Sequence, residues 1–130
     1  MARIFVTLNN FCRIPEDYCA MPPFFESFLV GLREAGNDVK CFQTKAYAAT
    51  TRFKDEIPSE YKNLLIKFNP DLCILFNNNF WDISNVVDCP IIIYDVDSPL
   101  EWQLKEALIS NIDRYMFVYN QTKGKKSLQE

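Results

Sequence analysis

Short runs dense in apolar and branched residues punctuate the chain: RIFVTL near the start, then DVKCF, DLCILF, PIIIY and RYMFVY. Runs of this length and composition are strand signals. They predict strands over residues 3–8, 38–42, 71–76, 90–94 and 114–119. Within them LCILF and YMFVY do not alternate with polar residues. Strands apolar on both faces belong to a parallel sheet covered by helices on each side.

Between the runs the apolar spacing becomes helical. Pro22 and Pro23 open a segment whose Phe25, Phe28, Leu29 and Leu32 share one face, with Glu26, Arg33 and Glu34 off it and Gly36 closing it. A second segment has Pro58 in its first turn and Tyr61, Leu64, Leu65 and Phe68 at helical spacing. A third starts at Pro99, with Leu100, Leu104, Ala107 and Leu108 on one face and Ser98 and Glu101 spaced as a capping box. A short helix or turn is expected over residues 81–87. The order β-α-β-α-β-(α)-β-α-β predicts an α/β fold, a Rossmann-like, doubly wound parallel five-stranded sheet. With 130 residues, 48% of them apolar or aromatic, the chain can bury one sizeable core and not two, so a single domain over residues 1–130 is expected. The closing NQTKGKKSLQE follows the fifth strand as if another helix were due, the pattern of a piece of a longer protein.

Composition removes several chemistries. The chain has no histidine, which takes away Ser-His and Cys-His nucleophile pairs and the commonest transition-metal ligand, leaving acid-base work to Asp, Glu, Tyr or Lys. Its three glycines, Gly31, Gly36 and Gly124, cannot write a GxGxxG turn or a P-loop, so no conventional dinucleotide or NTP site is expected here. A net charge of -3 gives no electrostatic reason to bind nucleic acid or an acidic membrane. Cys12, Cys19, Cys41, Cys73 and Cys89 are an odd set without CxxC spacing and read as small buried hydrophobes in a reducing compartment. No stretch has the length of a bilayer span or the form of a signal peptide, and a cytoplasmic location is expected.

In an open parallel sheet, ligands gather outside the carboxyl ends of the strands. The loops predicted there, residues 9–21, 43–56, 77–81, 95–102 and 120–123, carry Asn9, Asn10, Asn77, Asn78, Asp95, Asp97 and Asn120, suited to hydroxylated ligands, with Tyr18, Trp81 and Trp102 able to stack on an apolar sugar face. Each Asn is also an ordinary turn residue. Asp95 and Asp97, in IIIYDVDSPLEW, admit three readings. They are turn and cap residues before the third helix, or acceptor contacts including a base, or a clamp for a divalent cation. A phosphoacceptor receiver domain shares the layout, but it needs acidic residues where this chain has Asn9, Asn10 and Asn77.

The chain resembles the N-terminal half of GT-B glycosyltransferases, and more narrowly the CgeB-like (spore maturation protein) group. The residues that carry the resemblance are RIFVTL, FLVGLREAGNDVKCF, FNPDLCILFNN, PIIIYDVDSP and NIDRYMFVYNQ, of which the Asp-Ser-Pro after the fourth strand is the most specific. The chain departs from the family pattern in ending before a second domain and in replacing a glycine-rich first loop with LNNFCRIPEDYC. The resemblance implies an acceptor-side domain facing an absent C-terminal domain that holds the nucleotide-sugar donor, with no cofactor or metal in this half, which alone should be inactive. If such an enzyme inverts configuration, a carboxylate in this half takes the proton from the acceptor hydroxyl; Asp97, and next Asp17, is the candidate for that base, with Asn77, Asn78 and Trp81 the candidates to hold the sugar. Two alternatives stay open: a metal-dependent GT-A-type transferase using Asp95 and Asp97, and a non-catalytic Rossmann-like binding module.

Overall fold

The computed structural model describes residues 1–11, 23–46, 56–76, 80–95 and 109–119. Five strands, β1 (Arg3–Phe11), β2 (Asp38–Ala46), β3 (Leu72–Phe76), β4 (Ile91–Asp95) and β5 (Tyr115–Tyr119), form one sheet in the order β2-β1-β3-β4-β5. All four pairings are parallel. Helices α1 (Pro23–Glu34) and α2 (Ser59–Phe68) cover opposite faces, and a 3-10 turn at Ile112–Arg114 feeds β5. The parallel α/β arrangement expected from the apolar runs is the one the chain adopts.

Alternate residues of a strand fall on opposite faces, and the packing follows that rule. Ile4, Val6, Leu8, Ile74 and Phe76 join Phe25 and Leu29 of α1 in one core layer. Phe5, Cys73, Leu75, Ile91, Ile93 and Tyr115 join Tyr61 and Leu65 of α2 in the other. The second layer is completed by Phe80, Trp81, Ile83 and Val87, from the connection between β3 and β4. Residues 84–86 of that connection are a turn, closed by the Val86 and Val87 N–H groups donating to the Ile83 carbonyl at 2.9 and 3.2 Å. Of the two forms expected over 81–87, the chain takes the turn.

Both helix ends are written locally. Gly36 has φ 94°, a value that costs a side-chain-bearing residue strain. The Asn37 N–H donates to the Leu32 carbonyl and the Gly36 N–H to the Arg33 carbonyl, the paired bonds of a Schellman stop. The Asn37 side chain then ties this stop to the start of β1, donating to the Leu32 carbonyl and accepting from the Ala2 N–H. At the end of α2, Asn69 takes the left-handed conformation at φ 48°, and Pro70 follows.

Two strands outrun their apolar pattern. β1 continues to Phe11 and β2 to Ala46, pairing Asn9 with Thr44, Asn10 with Lys45 and Phe11 with Ala46. The first two expected loops therefore begin later than residues 9 and 43. A parallel ladder is held by backbone groups, so it runs on through polar side chains wherever the partner strand runs on too. Residues 109 and 110 are helical, but the start of the expected third helix, with Ser98, Pro99 and Glu101, lies outside the described residues.

Candidate functional site

Parallel pairing puts all five carboxyl ends along one rim of the sheet. The chain steps from β1 outward to β2 and then back across to β3, so the strand order reverses between β1 and β3, the place where open sheets form a crevice. Asn9 and Asn10 lie in the last part of β1, on one side of that switch point, and the end of β3 at Phe76 lies on the other. Asp95 is the last residue of β4, paired with Tyr119, the last of β5. Backbone position thus brings Asn9, Asn10 and Asp95 to a common rim. Asp97, Asp17, Asn77, Asn78, Trp102 and Asn120 lie outside the described residues.

Trp81 is only 7% exposed. Its ring packs at 5.0 Å from Tyr61, which is itself fully buried and 4.8 Å from Phe42. This indole fills the α2-side core layer. On the other layer an aromatic group reaches the rim: Phe24, 51% exposed in the first turn of α1, meets Phe76, the last residue of β3, edge-on at 6.3 Å. Phe76 is in turn 5.5 Å from Tyr94 and 4.8 Å from Phe25. Phe24 stands off the apolar stripe of α1, so periodicity does not single it out. The signal that could have found it is the doubled Phe24-Phe25 at a helix start, where one ring can be stripe and the next cannot.

The polar groups that the structure does bring together sit elsewhere. In the middle of β1 the buried Thr7 hydroxyl and the Tyr61 hydroxyl share a hydrogen bond at 2.6 Å. Burial pushes the Tyr61 phenol far above its ordinary value, so it stays neutral at any working pH. At the opposite, amino rim, the Tyr115 hydroxyl donates to Asp82 Oδ1 and accepts from the Ile83 N–H, while Asp82 also accepts from the Ser84 N–H at 3.0 Å. Arg114 donates to the carbonyls of Ser84 and Val87. Burial first, then the hydrogen bond to Asp82, drive the Tyr115 phenol upward. These contacts lock the β3–β4 connection onto the start of β5. They lie at the wrong end of the strands for a rim ligand and serve the fold.

Among the described residues no three His, Cys, Asp or Glu side chains cluster as metal ligands, and no described helix is long and apolar enough to cross a membrane. Comparison with protein-family models finds none that matches the chain, and no curated protein matches it either.

Proposed function

We propose that this domain is the acceptor-binding half of a glycosyltransferase of the GT-B type, CgeB-like in its sequence pattern, which transfers a sugar from a nucleotide-sugar to a hydroxylated acceptor. The observation that carries the reading is the parallel sheet whose β4 ends at Asp95, two residues before the sequence Asp97-Ser98-Pro99, on the rim shared with a switch point bordered by Asn9 and Asn10. The absence of any glycine-rich phosphate turn in the sequence supports an acceptor role for this half, the donor belonging to a partner domain. In this reading Asp97, with Asp17 as the second candidate, takes the proton from the acceptor hydroxyl. Asn77, Asn78 and Asn120 bind hydroxyls, and Phe24 offers a stacking face at the rim.

The test is Asp97→Asn in the full-length protein, assayed for transfer from uridine and guanosine diphosphate-sugars. A lost general base costs about 10²- to 10⁴-fold in kcat. Unchanged turnover removes Asp97 from that role. Nuclear magnetic resonance titration of residues 1–130 with the same nucleotide-sugars is expected to give no saturable shifts, and tight binding would reassign this half to the donor. Manganese or magnesium raising the Tm of the domain would instead favour a metal clamp at Asp95 and Asp97.

A further inference from the structure

At the amino rim of the α2-side layer two cysteines meet. Cys73, the second residue of β3, is fully buried, while Cys89, just ahead of β4, is half-buried, and their Sγ atoms stand 3.7 Å apart. The backbone fixes this approach. The Cys73 N–H donates to the Pro90 carbonyl at 3.0 Å, and Cys73 faces Ile91 in the β3–β4 ladder. Cys89 itself lies at a bend outside the strands, so its side chain can swing without breaking ladder bonds. The sulfurs are in van der Waals contact and must close to about 2.05 Å to bond.

We propose that Cys73 and Cys89 are a redox-sensitive pair that a small-molecule disulfide closes into a covalent staple between β3 and the segment ahead of β4. Cys89, the more exposed of the two, loses its proton to solvent and attacks one sulfur of the disulfide RSSR. The S–S bond of RSSR breaks, one RS⁻ leaves and Cys89 carries a mixed disulfide. Cys73 then gives its proton to solvent and attacks Cys89 Sγ, displacing the second RS⁻. Two protein thiols are oxidised by two electrons in all, and RSSR is reduced to two RSH.

The surroundings set this order. Burial raises both thiols, but at Cys89 the Cys73 S–H and the Arg114 guanidinium pull the other way. Closure is therefore slow at neutral pH and quickens as pH rises. Once closed, the staple spans residues 16 positions apart and constrains the connection that carries Phe80, Trp81, Ile83 and Val87 into the core. It lies at the opposite end of the strands from the candidate rim, so its effect falls on stability and it does not depend on the glycosyltransferase reading.

The experiment is prolonged native incubation of the chain with oxidised glutathione over a series from about pH 7 to about pH 9.5, bracketing the ordinary thiol value of about 8.5, then alkylation, peptide mapping by mass spectrometry and thermal melting with and without dithiothreitol. The expected result is a peptide linking Cys73 to Cys89, a mass lower by two hydrogens, and a dithiothreitol-reversible rise in Tm of about 5–15 °C. Cys89→Ser and Cys89→Ala should each abolish the linked peptide and the reductant-sensitive rise in Tm. Recovery of Cys73 and Cys89 as alkylated free thiols overturns the proposal, as does either one linked to a different cysteine. A linked pair that leaves Tm insensitive to dithiothreitol overturns the staple. The wild-type map decides the pairing even if a variant fails to fold.

Discussion

The two core layers of this sheet are built from different materials. Among the described residues the α1-side layer is built of aliphatic and aromatic side chains, with Phe25 and Phe28 meeting Phe76 at 4.8 and 5.2 Å and Phe28 reaching Tyr94 at 6.3 Å. The α2-side layer threads hydroxyls through its apolar packing, at Thr7 with Tyr61 and at Tyr115 with Asp82. They also differ in reach. On β5 Tyr115 is 4% exposed on the α2 side, while Met116 and Val118, on the α1 side, are 58% and 38% exposed. Among the described residues the α1-side layer packs by apolar and aromatic contact and ends near β4. The α2-side layer extends to β5 because residues 80–87 supply a cover that α2 alone would not, and hydrogen bonds fix that irregular cover in place.

If this contrast is right, the largest effect comes from removing shape. Phe76→Ala deletes the ring against which Phe24, Phe25, Phe28 and Tyr94 all pack, and it should cost about 3–5 kcal/mol in urea unfolding. A loss below about 1 kcal/mol would mean that the layer repacks freely, against the behaviour of close-packed interiors.

On the other layer a near-isosteric change should matter through polarity instead. Thr7→Val keeps the volume but strands the Tyr61 hydroxyl in the core, at a cost of about 1–3 kcal/mol. Adding Tyr61→Phe should recover part of that loss, because the pair is then apolar on both sides. A double-mutant cycle with no coupling would dissolve the distinction between the layers.

The smallest effect belongs to a contact in neither layer. Asp71 accepts from the Arg3 N–H at 2.8 Å and from its guanidinium at 3.3 Å, at the exposed amino rim. The backbone hydrogen bond first, then the side-chain one, hold its carboxyl below the ordinary 3.8. A carboxyl whose pKa is lowered by folding stabilises the native state above its unfolded pKa and loses that contribution as pH falls through its folded pKa. Asp71→Asn should therefore lower Tm slightly at pH 7, and the gap to the wild type should close below about pH 3.8. A gap that persisted in stronger acid would assign the effect to something other than the carboxylate.

Much of this architecture is legible in the sequence alone. Five apolar runs correspond to five strands, and their lack of alternation to parallel pairing; the cover on both faces expected with it holds for LCILF, but in YMFVY Met116 and Val118 are exposed among the described residues. Helical spacing located α1 and α2, and Gly36 marked a stop that only a residue tolerant of positive φ supplies cheaply. What the pattern missed were the ends of β1 and β2, where Asn9, Asn10 and residues 43–46 look like loop and are ladder. Side-chain polarity reports burial, and backbone pairing does not depend on it.

The candidate rim was legible only as topology. Parallel strands put their carboxyl ends together whatever their side chains, so Asn9, Asn10 and Asp95 could be assigned to one rim from strand direction alone. Whether an aromatic residue is a surface or a filler depends on neighbours distant in the chain. Trp81 follows the third strand closely enough to suggest a rim residue, yet its indole is buried against Tyr61. Phe24, one residue off the stripe of α1, stays half exposed beside Phe76. Likewise Cys73 and Cys89 share no motif spacing, and their contact exists because β3 and β4 are adjacent strands. The sequence by itself determined the number and direction of the strands, since those follow from local periodicity and the need to bury apolar faces. Only the tertiary structure decided which polar groups pair, which rings remain exposed and which sulfurs touch, because each of those depends on register between segments that periodicity leaves free to slide.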